Sequence, residues 1–272
     1  MKALIDGDIL LYSIGSLKDE ATGEFLSWPL TLARLDGKIK QIVREAGADS
    51  YVIYVSGPDN YRIPYATIKP YKGHRPEEKP HHYNNIKNYF KGTKNHEVIF
   101  TDGIEADDAM GIEQSRNIIM NGYYESSTII CTRDKDLDMI PGWHYKWHHG
   151  DEKKKEPYIV TQEEGMKWFF KQLLTGDSAD NILGLFGIGD KKADKMLDDA
   201  ETQDTQGWYN KVHKEYSRRF GSYAEAFILE TAILLWILRG NHEMNCPEDE
   251  AEDLIYGLED KRETQLIKEG KF

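Results

Sequence analysis

Apolar residues in this chain follow two rhythms. Ala3 to Ile5, Tyr51 to Val55, Val98 to Phe100 and Thr128 to Cys131 are short, mostly β-branched or aromatic runs that read as buried strands. Within Leu30 to Ala46, residues Leu32, Leu35, Ile39, Ile42 and Val43 recur at helical spacing, and Asp107 to Asn121 also reads as a helix. Strands alternating with helices predict the α/β class, a central, mostly parallel sheet flanked by helices. His144 to His148 and Tyr158 to Val160, joined by a charged turn from Asp151 to Glu156, predict a hairpin at its edge. Beyond it the chain reads as helical to Arg239, with the strongly apolar Phe227 to Leu238 packed back on the core. No internal repeat or low-complexity segment interrupts the pattern.

The chain has 272 residues, enough for one large domain or a domain with a subdomain. A net charge of −12 argues against a generic nucleic-acid coat. It leaves a metal-dependent nuclease open, because such a site concentrates carboxylates and confines DNA contacts to a basic strip. Cys131 and Cys246 lie far apart, which suggests neither a disulfide framework nor a zinc site. The first acid comes as early as Asp6 and no apolar run is long enough to span a membrane. The expectation is a soluble cytoplasmic protein with no signal peptide and no membrane partner.

Residues 62 to 95 form such a strip. Arg62, Lys69, Lys72, Arg75, Lys79, Lys87, Lys91 and Lys94 stand against only Glu77 and Glu78, with Tyr61, Tyr65, Tyr71, Tyr83 and Tyr89 interleaved. Pro64, Pro70, Pro76 and Pro80 break any long helix. Cations for phosphates and aromatic faces for bases suit a single-strand channel. The plainer alternative is a solvated loop with ordinary surface lysines.

Four places carry acids just after apolar runs: Asp6 with Asp8; Glu105, Asp107 and Asp108; Asp134, Asp136 and Asp138; and Asp177 with Asp180. Strand ends of an open parallel sheet lie on one edge, so these acids are expected to converge there. So many carboxylates cannot all stay ionised together without cations. Oxygen-only ligation suits Mg²⁺ or Mn²⁺, and two such ions suit phosphodiester hydrolysis. Asp177 and Asp180, three apart, are expected on one helix face. Gly184-Leu185-Phe186-Gly187-Ile188-Gly189 follows, then a helical run with Lys191, Lys192 and Lys195, so a phosphate-binding turn abuts the acids. The alternative there is a helix C-cap, a turn and a solvated lysine face.

These motifs resemble the 5′-nucleases of the flap endonuclease and 5′→3′ exonuclease type, especially phage versions and the exonuclease domain of bacterial DNA polymerases. The likeness covers roughly residues 1 to 240. It rests on Ile5-Asp6-Gly7-Asp8, Tyr71-Lys72-Gly73-His74-Arg75, Gly103 to Asp108, Thr132 to Leu137, and Gly176 to Asn181 with its glycine turn. The resemblance implies a PIN-like core over 1–160, including the arch-like segment 62–95, and a helical DNA-binding region over 161–272 with a helix–turn–helix element at 175–197. It implies that Asp6, Glu105 and Asp107 line a first metal site and Asp134, Asp136 and Asp177 a second, with Asp108 and Asp180 acting partly through water. Lys72 and Arg75 match the basic pair that contacts the scissile phosphate. Arg62, Lys69 and Tyr71 would contact DNA, as would Gly187, Gly189, Lys191, Lys192 and Lys195, with a K⁺ ion held by the turn carbonyls. The substrates implied are DNA with 5′ ends or flaps and RNA–DNA hybrids, cleaved by a monomer in a bacterial or phage-infected cell.

Two departures from the family pattern stand out. The family's aspartate after the second strand falls on Gly57, which leaves Asp59 as a displaced substitute. Arg133 directly precedes Asp134 and would either neutralise part of the cluster or point away. Two rival readings remain. A phosphatase of the haloacid dehalogenase type would use Asp6-Gly7-Asp8 with Asp6 as nucleophile, and gives the basic strip no role. A non-catalytic DNA-binding module gives the carboxylates none.

Overall fold

The computed structural model describes residues 1–272 except 77, 123, 149–151, 241–245 and 269–272. Glu77 of the basic strip and Asp151 of the charged turn therefore lie outside the described residues. In chain order the elements are β1 (Lys2–Asp6), α1 (Gly7–Gly15), α2 (Trp28–Glu45), β2 (Ser50–Val55), α3 (Arg62–Tyr65), α4 (Tyr83–Gly92), β3 (Val98–Phe100), α5 (Ala106–Asn121) and β4 (Thr128–Cys131). They continue as β5 (Gly142–Tyr145), β6 (Tyr158–Val160), α6 (Gln162–Thr175), β7 (Gly176–Asp177), β8 (Ile182–Leu183), α7 (Asp190–Asp198), α8 (Thr205–Phe220), α9 (Ala224–Leu235) and α10 (Asp249–Lys268). The chain divides into two compact units, Met1–Asn60 with Pro76–Val160, and Tyr61–Arg75 with Thr161–Phe272. The basic segment 62–95 is thus shared between them.

The first unit is built on a six-stranded sheet in the order β3-β2-β1-β4-β5-β6. Its first five strands are parallel and β6 closes the edge antiparallel to β5, which is the hairpin that the pattern predicts. Register aligns Ile5 with Ile53 and Cys131, while Leu4 aligns with Val52 and Ile130. The first row packs with Leu10, Leu35, Ile39, Ile42, Ile86 and Phe90 from α1, α2 and α4. Helix α5 packs against β1, β2 and β4. A strand covered on both faces must be apolar at every position, which is why β1, β2 and β4 stand out as unbroken runs.

The second unit is mainly helical. Phe169, Phe170, Leu173, Trp208, Val212, Tyr216, Ile228 and Ala232 form its buried core. The apolar stretch from Phe227 does pack inward, but its helix ends at Leu235, and Trp236 to Leu238 continue buried without helical structure. Its end is closed by Arg62, whose Nε donates to the Leu234 carbonyl at 3.1 Å and whose second amine donates to Trp236. Arg62 is only 2% exposed, so the reading of it as a DNA-contacting cation is corrected. It is a structural cap, and its partners are carbonyls more than 170 positions away that no local pattern announces. Helix α10 falls within the region 161–272 expected to be helical, and Asp249, Glu250 and Glu252 in its first turn and Lys268 in its last are the helix-dipole signals that mark its ends.

Asp177 and Asp180 do not share a helix face. Gly176, at φ +67, ends α6, and residues 176–183 form the small β7–β8 hairpin. A Cβ on Gly176 would lie 2.2 Å from the Gly184 nitrogen, and one on Gly184 would lie 2.0 Å from the Thr175 carbonyl carbon. The two glycines let these backbones cross, and that tertiary contact overrides the helical spacing. Among the described residues no helix is long and apolar enough to cross a membrane.

Candidate active site

The strand order places a switch point between β1 and β4, where neighbouring connections leave in opposite directions. Asp6 ends β1 there and is 2% exposed. One carboxylate oxygen accepts the Ile9 N–H at 3.1 Å as the N-cap of α1, and the other accepts the Thr132 hydroxyl at 2.8 Å. The same Thr132 oxygen accepts the Asp134 N–H at 2.9 Å, and Asp134 in turn accepts the Asp136 N–H at 2.9 Å. Thr132, 1% exposed, therefore ties the β1 acid to the acids after β4. The sequence reading gave it no role of its own, although it opens the motif Thr132 to Leu137 and places a hydroxyl directly after a buried strand.

Ser56 does the same on the other side. Its N–H donates to the Asp8 carboxylate at 3.2 and 3.3 Å, and its hydroxyl accepts the Ala106 N–H at the start of α5 at 2.9 Å. Glu105 and Asp107, both half-buried, flank that point. Asp108 is fully buried and accepts the Glu105 N–H at 3.0 Å in a reciprocal capping box. It positions the start of α5, and with it Glu105 and Asp107.

Asp138 leaves the cluster. It accepts the Tyr158 hydroxyl at 2.6 Å and pairs with Lys146, which fixes the edge hairpin. Arg133 also turns elsewhere, into a two-pronged pair with Glu152 at 2.9 and 3.1 Å and a bond to the Trp147 carbonyl. Gly57 cannot be replaced by the aspartate that the resemblance expects there, since a Cβ would lie 2.0 Å from the Thr101 carbonyl oxygen. Asp59 is exposed. The carboxylate held at the end of β2 is that of Asp8, in the first turn of α1. Its charge is felt by the Tyr83 phenol, pushed up to about 12 first by burial and then by Asp8.

Burial pushes the Asp6 acid up to about 7, and the nearby Asp8 and Asp134 charges add to it against the opposing hydrogen bonds. Folded Asp6 therefore keeps its proton to higher pH than in the unfolded chain, from an ordinary value of 3.8. Between those values the folded state binds more protons, so stability falls as pH rises. In metal-free protein, Asp6→Asn removes that penalty. Its thermal midpoint lies several degrees above wild type at pH 8, and the difference shrinks as pH falls through this window and vanishes near pH 3. A constant difference between pH 8 and pH 3 would contradict the assignment.

On the surface of the same unit, Lys79 donates to the Tyr12 hydroxyl at 2.7 Å and stands 5.4 and 5.5 Å from the Tyr12 and Tyr83 ring centres. Lys87 donates to the Ser56 carbonyl at 3.3 Å. The mixture of cations and rings read from the sequence is present here. Tyr89 instead packs with Trp28, Phe90 and His96.

In the second unit Asp177 is buried and accepts the Ala179 N–H at 2.9 Å. Asp180 is the hub of the basic motif. It accepts the Tyr71 hydroxyl at 2.8 Å, pairs with Arg75, and lies 3.6 Å from the Lys72 ammonium, while its carbonyl accepts the Lys72 N–H at 2.9 Å. Lys72 takes φ +55, a left-handed conformation that a lysine adopts only when its surroundings impose it. Tyr71, Lys72 and Arg75 are thus gathered on one carboxylate. Lys69 is exposed nearby in sequence.

The glycine turn and α7 have the expected form. Gly187 sits at φ +75, and Gly189 is the N-cap of α7. Lys171 pairs with Asp190 at 3.6 Å and Asp194 at 2.9 Å, and Lys167 pairs with Asp198 at 2.6 Å. Each acid of α7 therefore has a lysine of α6 beside it, while Lys191, Lys192 and Lys195 stay exposed. Lys192 also donates to the Gly187 carbonyl at 3.2 Å.

No protein-family model matches the chain. The thermostable DNA polymerase I of Thermus caldophilus is 34% identical over 98 residues, which take in 35% of this chain and 11% of the polymerase's length. Three solved structures of bacteriophage T5 proteins align over nearly the whole chain. The 5′-exonuclease with bound divalent zinc gives a TM-score of 0.53 at 14% identity, covering 96% of this chain and 99% of that one. The T5 protein co-crystallised with metal ions gives 0.52 at 12%, covering 94% and 98%. The flap endonuclease in a pseudo-enzyme-product complex with DNA and metal ions gives 0.52 at 13%, with the same coverage. At these identities the likeness is one of architecture: the chain is built on the fold of the bacteriophage T5 5′-exonuclease and flap endonuclease.

Proposed function

We propose that the chain is a divalent-metal-dependent nuclease, a 5′→3′ exonuclease or structure-specific flap endonuclease acting on DNA with 5′ ends or flaps. The observation that carries this is Asp6 at the switch point, where burial first and the Asp8 and Asp134 charges after it push the acid up to about 7. Such a cluster is balanced by a cation, and its donors, all carboxylates, fit Mg²⁺ or Mn²⁺. Asp6, Asp8, Glu105, Asp107, Asp134 and Asp136 would hold the metal, with Thr132, Ser56 and Asp108 orienting them. Two ions, when bound, would supply an activated water and neutralise charge on the attacking and leaving oxygens.

Lys72 and Arg75 offer cations to the reacting phosphate, oriented by Asp180. The sequence resemblance also assigns Asp177 and Asp180 to metal ligation. Lys191, Lys192 and Lys195, with the turn at Gly187 and Gly189, would hold duplex backbone. The carbonyls of that turn would hold a K⁺ ion. RNA–DNA hybrids belong to the same proposal, as do a monomeric state and action in the cytoplasm.

The test is digestion of end-labelled flap, blunt, nicked and hybrid duplexes with Mg²⁺, with and without excess EDTA. Cleavage from or near 5′ ends, abolished by EDTA and restored by Mg²⁺ or Mn²⁺, is the expected result. Tight duplex binding with no cleavage in any metal would return the non-catalytic reading.

A further inference from the structure

We infer that Phe186 is a duplex-contacting side chain, seated in the minor groove between the phosphates that the α7 lysines engage. The inference rests on the DNA reading above. Phe186 is 98% exposed, the most exposed of the large hydrophobic side chains described. The turn around it is pinned. Leu185 and Ile188 are 4% and 6% exposed, the Leu185 N–H donates to the Leu174 carbonyl at 2.8 Å, and the Ile188 N–H donates to the Leu185 carbonyl at 3.0 Å. With buried anchors on both sides, the ring is held outward and cannot fold back on its own unit. A full phenyl surface left in water forgoes stabilisation that burial elsewhere would bring.

The surroundings identify what covers it. Lys191, Lys192 and Lys195 are exposed on the helix that follows, and its acids Asp190, Asp194 and Asp198 are drawn to Lys171 and Lys167 instead. An apolar tip beside a cationic face fits a polyanion with an apolar recess between its charged rims. Duplex DNA has that form, with sugars and base edges on the minor-groove floor and phosphates on either side. A single strand would instead offer unstacked base faces.

The test is anisotropy titration of labelled blunt duplex and of single strand across a KCl series in EDTA, which prevents cleavage. Wild type, Phe186→Ala, Phe186→Trp and Lys192→Ala are compared. Phe186→Ala should weaken duplex binding about ten-fold at every salt concentration. Its log–log salt slope should match wild type, because an apolar contact releases no counterions. Phe186→Trp should bind within about three-fold of wild type, and single-strand affinity should not change. Equal melting temperatures of the Phe186 variants and wild type confirm that the fold is intact. Unchanged duplex affinity, a flattened slope, or a loss confined to the single strand would overturn the inference and leave the nuclease reading standing. Failure of wild type to bind duplex would overturn both.

Discussion

Asp134→Asn and Asp8→Asn each lower the single-turnover cleavage rate by roughly 10³-fold or more, whereas Asp59→Ala stays within about two-fold of wild type. Asp134 acts on Asp6 through space and through the shared Thr132 hydroxyl, so its charge belongs to the same set. Asparagine keeps the shape and the Asp136 N–H bond but removes the charge a cation needs. Asp8 carries the sharper consequence. The end of β2 has no room for a side chain at Gly57, and Asp8 is the carboxylate that the Ser56 N–H holds there. Asp59 lies two residues further on and is exposed. Rates are measured with enzyme in excess over DNA and at saturating enzyme concentration, over a Mg²⁺ series. A Mg²⁺ requirement shifted to higher concentration in Asp8→Asn, so that high Mg²⁺ rescues it in part, marks a ligand. A large loss in Asp59→Ala with a silent Asp8→Asn would restore the displaced-acid reading.

What could be read in advance was what local physics writes locally. Strands β1, β2 and β4 are apolar without alternation because both faces are covered, and the acids after them fall at the sheet edge because parallel strands end together. The role of each acid was not local. Asp134 and Asp138 are four residues apart, yet one joins Asp6 and the other Lys146 and Tyr158, a division set by where β5 and β6 return. The two directions open to Arg133 were settled by Glu152, nineteen positions away.

The second unit shows the same limit more strongly. Spacing placed Asp177 and Asp180 on a helix, but a helix there would forbid the crossing of Gly176 against Gly184. Arg62 read as one cation among many in a basic strip, and only the carbonyls at the end of α9 make it a buried cap. The motif Tyr71 to Arg75 was legible as chemistry, whereas its attachment to Asp180 was not. The contact spans more than a hundred residues of sequence.

That attachment carries the second large effect. Lys72→Ala should lower the single-turnover rate at saturating enzyme by about 10²–10³-fold, because a cation facing the phosphate where charge develops stabilises the transition state more than the bound ground state. The backbone at φ +55 and the Asp180 carboxylate 3.6 Å away hold Lys72 in one place before substrate arrives, so little is spent on ordering it. Arg75→Ala should behave alike, and Tyr71→Phe, which removes only a hydroxyl that orients Asp180, should cost less. Lys192→Ala is the contrasting case. It loses a ground-state contact to duplex backbone, so binding weakens and the log–log salt slope drops by roughly one unit, while the saturated rate stays within about two-fold. Rates and slopes from the same DNA separate the two. A pure binding defect in Lys72→Ala, with a pure rate defect in Lys192→Ala, would place the reacting phosphate at the glycine turn instead of at the Asp180 hub.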